Sequence, residues 1–193
     1  MFEFEMPADA VGEFGVALLS LKQSALRNEL EIEQLAAPVG VAEKAIAFSA
    51  NVQSEKSEIS GNLGTGRFVL FWSSEPQENW TSNFRVVCFA RSPLESDIGR
   101  ETDSVDVTWD WLTEALTNSG AKQSALAGTT TRIISTGHGL MDQESEHAEI
   151  EIRASWSPLS TDIHSHFEAW QNLICVMSGF SIAPGVNKIP FGA

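Results

Sequence analysis

Arginine is the side chain whose placement carries the most chemistry in this sequence. Arg67, Arg85, Arg91, Arg132 and Arg153 all fall in segments that read as β-strands, whereas most lysines lie outside them. A guanidinium presents five donors in a rigid fork, a shape suited to carboxylates and phosphates. Strand parity adds a second observation. Arg85 and Arg91 alternate in phase with Val87 and Phe89, Arg67 with Val69 and Phe71, and Arg132 with Ile134, while Arg153 shares its side with Glu149 and Glu151. If these sides coincide, the sheet has one greasy face and a second that is half apolar and half guanidinium. A fully solvated sheet face rarely carries that many Val, Ile and Phe. Three uses fit such a face: cross-strand Arg–Glu pairs under partial cover from the first or second helix, a surface for a protein partner or for self-association, and a site for a small anion or RNA phosphate. Arg67, Arg85, Phe89, Arg91, Arg132 and Arg153 are the candidate partner- or anion-binding residues.

The other reactive residue types lack the spacing their chemistry needs. Gly61-Asn62-Leu63-Gly64-Thr65-Gly66 precedes a strand, whereas a phosphate loop precedes a helix whose N–H groups meet the anion. A hairpin loop needing positive φ angles is the simpler reading. His164 and His166, two residues apart near a helix start, point about 200° away from each other and cannot share a metal comfortably. His138 and His147 have no partner at zinc spacing, although acids surround His147. No Gly-x-Ser-x-Gly elbow is present, and Cys88 has no context marking a nucleophile. Asp97, Glu101, Asp103, Asp106 and Asp110 lack the central Gly and closing Glu of a calcium loop. No residue is assigned a catalytic, cofactor or metal-binding role, and the missing motifs point away from an enzyme.

Charge narrows the partners. The 193 residues carry a net charge of −14, with hydrophobic residues at 42% and charged residues at 20%. Such acidity opposes nucleic-acid binding, which depends on many Lys and Arg contacts to phosphate, so DNA is excluded and RNA disfavoured. The acids cluster at 94–114 and 142–151, runs that read as solvated surface. Glu3 and Glu5 stand where a signal peptide needs basic residues, and no apolar stretch approaches the roughly 20 residues that span a bilayer, so a cytoplasmic location is expected. Cys88 and Cys175 then read as buried free thiols.

The elements that must position the arginines follow from periodicity. A first helix is expected from a cap at Asp9 to about Leu26, with Val11, Phe14, Leu18, Leu21 and Ala25 on one side. Strands follow at 30–33, 45–53, 67–72 and 84–91, joined by loops too short for crossovers and therefore forming an antiparallel meander. A helix capped by Asp106 carries Val105, Trp109, Leu112 and Leu116 and stops at Gly120. Strands at 125–136 and 147–156 precede the clearest helix, from Asp162, with Ile163, Phe167, Trp170, Ile174 and Met177 in one stripe. Burying that stripe contributes roughly 8 to 12 kcal/mol as an upper bound. The expectation is one α+β domain over 1–193, with a mostly antiparallel sheet of five to six strands packed by three amphipathic helices and an extended tail over 180–193.

Several strings together carry a resemblance: Gly64-Thr65-Gly66-Arg67-Phe68-Val69-Leu70, Phe84-Arg85-Val86-Val87, Trp109 with Trp111-Leu112-Thr113-Glu114-Ala115-Leu116, Ala148 through Trp156, and Glu168-Ala169-Trp170. As an ordered set over about residues 10–190, the chain resembles an actinobacterial family, the domain of unknown function numbered three thousand. The resemblance implies a bacterial cytosolic protein and carries no catalytic residue with it. It also implies a gene neighbourhood with a ribonuclease D-type exonuclease, a link to RNA metabolism. The combined expectation is a non-enzymatic interaction or regulatory module using the arginine-bearing face. The alternative is an accessory factor or enzyme in RNA metabolism or small-anion binding, acting through the same arginines.

Overall fold

The computed structural model describes residues 2–53, 64–94, 104–139 and 147–181. In chain order the elements are α1 (Gly12–Leu21), β1 (Leu30–Leu35), β2 (Lys44–Val52), β3 (Thr65–Trp72), β4 (Phe84–Leu94), α2 (Ser104–Asn118), β5 (Gln123–Ser135), β6 (His147–Pro158) and α3 (Ile163–Met177). The six strands form one antiparallel sheet in the order β1-β2-β3-β4-β6-β5, so the fold is α+β with three helices. The meander from β1 to β4 follows from the short connections. β6 then pairs with β4, and β5 takes the edge position beyond it.

Residues opposite one another in register share a face. Ala50, Gly66, Ala90 and Ile152 lie in one such row, and Phe48, Phe68, Cys88 and Ala154 in the next. These even-numbered residues are buried, and the helices lie over them: Ile174 of α3 against Gly66, Trp109 of α2 against Gly128, Phe14 of α1 beside Trp72. α3 occupies the centre, and its whole predicted stripe is buried. Its approach depends on small residues. A Cβ at Gly66 would stand 2.4 Å from Ile174 Cδ1, and one at Gly64 would stand 1.9 Å from Ser178 Oγ. Neither glycine has a positive φ, so the expected turn role gives way to close approach of a helix. Gly61 lies outside the described residues.

Both long helices end as their glycines require. Gly120, at φ +71, donates to Thr117 O, and Ala121 donates to Leu116 O. Gly179, at φ +82, and Phe180 repeat the pattern after α3. These paired bonds satisfy carbonyls the last turn leaves open. Residues 182–193 of the expected tail lie outside the described residues.

Two helix boundaries differ from expectation. α1 begins after Val11 and ends at Leu21, so Val11 and Ala25 do not belong to its buried stripe. The chain leaves the helix because α3 captures it: fully buried Gln171 accepts from Arg27 N at 2.9 Å and donates to Ala25 O at 3.1 Å. The Arg27 guanidinium completes the clasp on Glu29, Asn172 Oδ1 and Ser181 O. Asp106 sits inside the first turn of α2, where an acid favours the positive end of the helix dipole, rather than capping it. Ahead of α1, Phe2 and Phe4 dock on Phe48, and Phe2 stacks on Phe167 at 5.3 Å, extending an aromatic cluster that includes Phe68 and Trp170.

Candidate functional site

The sheet face away from the helices gathers four of the five strand arginines. Its central row, read across the strands, is Ser49, Arg67, Phe89, Arg153 and Thr129. On one side runs the row Asn51, Thr65, Arg91, Glu151 and Thr131; on the other, Ala47, Val69, Val87, Ser155 and Ala127. Phe71 opposes Arg85 in the row beyond. Arginine and apolar side chains do share this face, but Ser, Thr and Asn interleave with them, so it is a mixed face rather than half apolar and half guanidinium.

Arg132 is not part of it. Register places Arg132 opposite Ile150, whose side chain lies in the core, so Arg132 projects on the helix-bearing face. β5 pairs in step with β6 from Ala127 onward, after a bulge between Ser124 and Ala127 in which Ala125 adopts φ 51. One inserted residue inverts which side chains face which way. Parity within β5 alone could not reveal this.

The four arginines on the open face differ in their partners. Arg91 pairs with Glu149, a buried acid on the neighbouring strand. Arg153 donates to Glu151 at 2.6 Å and lies over the Phe89 ring, 5.4 Å from its centroid. Arg91–Glu149 is a cross-strand pair of the kind anticipated, whereas Arg153 and Glu151 lie two residues apart on β6. The anticipated helix cover is not there, because among the described residues all three helices contact the other face. Arg85 is held by neutral oxygens only, Ser155 Oγ at 2.6 Å, Ala125 O at 3.1 Å and Ser157 Oγ at 3.5 Å. Burial without a compensating carboxylate pulls its pKa below the ordinary arginine value. Arg67 is exposed and makes no hydrogen bond or ion pair among the described residues.

Between Arg67 and Arg85 lie Val69 and Val87, the latter 40% exposed. Ser155 and Ser157, which orient Arg85, and this valine pair were missed as site residues. Their signal was parity, since both serines alternate with Trp156. At the far end of the face Trp80 of the β3–β4 loop sits 6.5 Å from Phe71, whose side chain is buried.

The remaining candidates occupy structural roles. His166 is buried and accepts from Trp156 Nε1 at 3.0 Å, while His164 faces Asp162 at 2.5 Å and Ser20. Cys88 and Cys175 are buried free thiols whose pKa burial pushes up to about 12. Among the described residues no three His, Cys, Asp or Glu side chains are grouped to hold a metal, and no helix is long and apolar enough to cross a membrane.

The fold and this face define a two-layer α+β protein whose sheet is covered by helices on one side and bears arginine on the other. The chain matches the family described as Protein of unknown function (DUF3000) over residues 10–187, and it belongs to that family. No curated protein and no solved structure matches it.

Proposed function

We propose that this chain is a cytoplasmic, non-enzymatic interaction module that holds an extended acidic and apolar segment of a protein partner on its open sheet face. The observation that carries this reading is the pair of guanidiniums without a carboxylate, Arg67 and Arg85, on either side of Val69 and Val87. Arg67 opposes Phe89, and Arg85 lies four residues along β4 from Phe89, a separation of about 14 Å along the strand direction at roughly 3.4 Å per residue. An extended segment with acids at i and i+4 and an apolar residue at i+2 presents all three side chains on one side at that spacing. Arginine beside aromatic and aliphatic side chains is also the composition of interface centres. The same arginines suit RNA phosphate, but a net charge of −14 opposes it. The two unpaired buried thiols support a reducing compartment.

The test is binding to immobilised peptides of the pattern acid-x-apolar-x-acid, with polyuridylate as comparison. Wild type retains the peptides, Arg67→Glu with Arg85→Glu loses them, and the exposed control Lys122→Glu does not. Peptides that bind the folded double variant as well as wild type, or that fail to bind wild type, refute the reading. Polyuridylate binding that falls steeply with salt selects RNA instead.

A further inference from the structure

The two edges of the sheet are built differently. β1 is six residues long and carries Glu31 and Glu33, the short, charged form that discourages edge pairing. β5 runs for thirteen residues, has no proline or lysine, and carries Arg132 as its one charge. After its bulge the strand is regular from Ala127 to Ser135, and among the described residues nothing pairs with its outer edge. Beside that edge lies an open groove of about 580 Å³ between α2 and β5, lined by Val105, Asp106, Trp109, Ala127, Gly128 and Thr130. On the same face of the same strand Ile134 is 51% exposed.

We propose that β5 is the twofold interface of a homodimer, in which the strands of two copies pair antiparallel about Thr131 and Ile134 of each copy enters the α2–β5 groove of the other. Antiparallel pairing about a twofold axis keeps both helix layers on one side, so paired residue numbers must sum to an even value. Centring on Arg132 would set two guanidiniums opposite each other, which is repulsive. Centring on Thr131 sets Ile134 of one copy opposite Gly128 of its partner and Arg132 opposite Thr130. The face directly over Gly128 is taken by the Trp109 ring, since a Cβ there would lie 2.9 Å from Trp109 Cζ3 and 2.4 Å from Arg153 O, so the entering isoleucine packs on the outer edge of that ring. Asp106 lines the groove with Thr130, so the same register brings Arg132 of one copy to an exposed acid of the other. Avoidance of an Arg–Arg apposition and the approach of Arg132 to Asp106 favour this register over one centred on Arg132, and the backbone edge, unpaired among the described residues, supplies the hydrogen bonds of a twelve-stranded sheet.

Sedimentation equilibrium tests the assembly. Wild type is expected at twice the 21.0 kDa chain mass. Ile134→Lys, an exposed substitution the monomer tolerates, and Asp106→Arg and Arg132→Asp, each alone, are expected at the single-chain mass with unchanged circular dichroism. Mixing the last two restores the dimer, because each opposite pair then joins unlike charges. Thr131→Cys adds a check on register: it forms a disulfide-linked dimer under mild oxidation, while Thr129→Cys does not, and buried Cys88 and Cys175 stay silent. Wild type that sediments as a monomer overturns the proposal, as does a dimer that survives Ile134→Lys or a mixture that stays monomeric.

Discussion

Acidification from pH 7 to pH 5 is predicted to destabilise this protein through His166. The ring is buried and accepts the indole N–H of Trp156 at 3.0 Å on Nδ1, so the native imidazole carries its proton on Nε2. Burial lowers its pKa from 6.5 to about 4; Asp162 opposes the shift and His164 adds to it. The unfolded chain therefore binds a proton below pH 6.5 that the native state refuses until about pH 4. Stability contributed by the neutral ring is fully present above pH 6.5 and is lost as pH falls toward 4. Between pH 7 and pH 5 the loss is about 2 kcal/mol. Urea unfolding followed by tryptophan fluorescence measures it, with His166→Asn as the reference in which the titrating group is gone. Carboxylate titration is common to both proteins and cancels, so wild type should lose about 2 kcal/mol more than the variant over that interval. Equal losses, or a native His166 that titrates by NMR above pH 6, would show that the ring is not held neutral by its surroundings.

Other substitutions probe the packing. Gly66→Ala should cost about 1 to 3 kcal/mol, because the new Cβ meets Ile174 Cδ1, and adding Ile174→Val should recover part of it; urea midpoints decide. Gln171→Leu removes the acceptor for Arg27 N and should cost about 1 to 3 kcal/mol while shifting the α1–β1 junction, visible in amide exchange at Arg27. Neither Cys88 nor Cys175 should react with a thiol reagent at pH 8 in the native state, and both should react once the chain is denatured.

Periodicity made much of this fold legible. The alternation of β6 and the stripe of α3 predicted both elements within a few residues, and short loops led to the meander. Periodicity gives phase within one element, however, and says nothing of phase between elements. Arg132 shows the consequence: its alternation with Ile134 is real, but pairing with β6 sends both to the helix side. The insertion of β6 between β4 and β5 was equally invisible, because it depends on contacts distant in sequence. Arg67, Arg85 and Arg91 look alike in sequence, yet of these three only Arg91 is neutralised, by Glu149 of the neighbouring strand. Phe2 and Phe4 were read for the acids around them, and their docking onto Phe48 needs a cavity that only the assembled helix and sheet create.

The strand order also sets a sequence of events during synthesis. β1 to β4 can zip together as hairpins while the chain is still being made, because each pairs with its neighbour in sequence. The greasy side of that ribbon, with Phe48, Phe68, Leu70 and Val86, waits for α3, which is translated after every strand. Until then the nascent chain exposes the surface on which its core is built, and the β5–β6 hairpin must find β4 before α3 closes over them. A chain stalled or cleaved before residue 163 would keep its sheet and lose the central helix that covers it, a form prone to aggregation and to capture by chaperones.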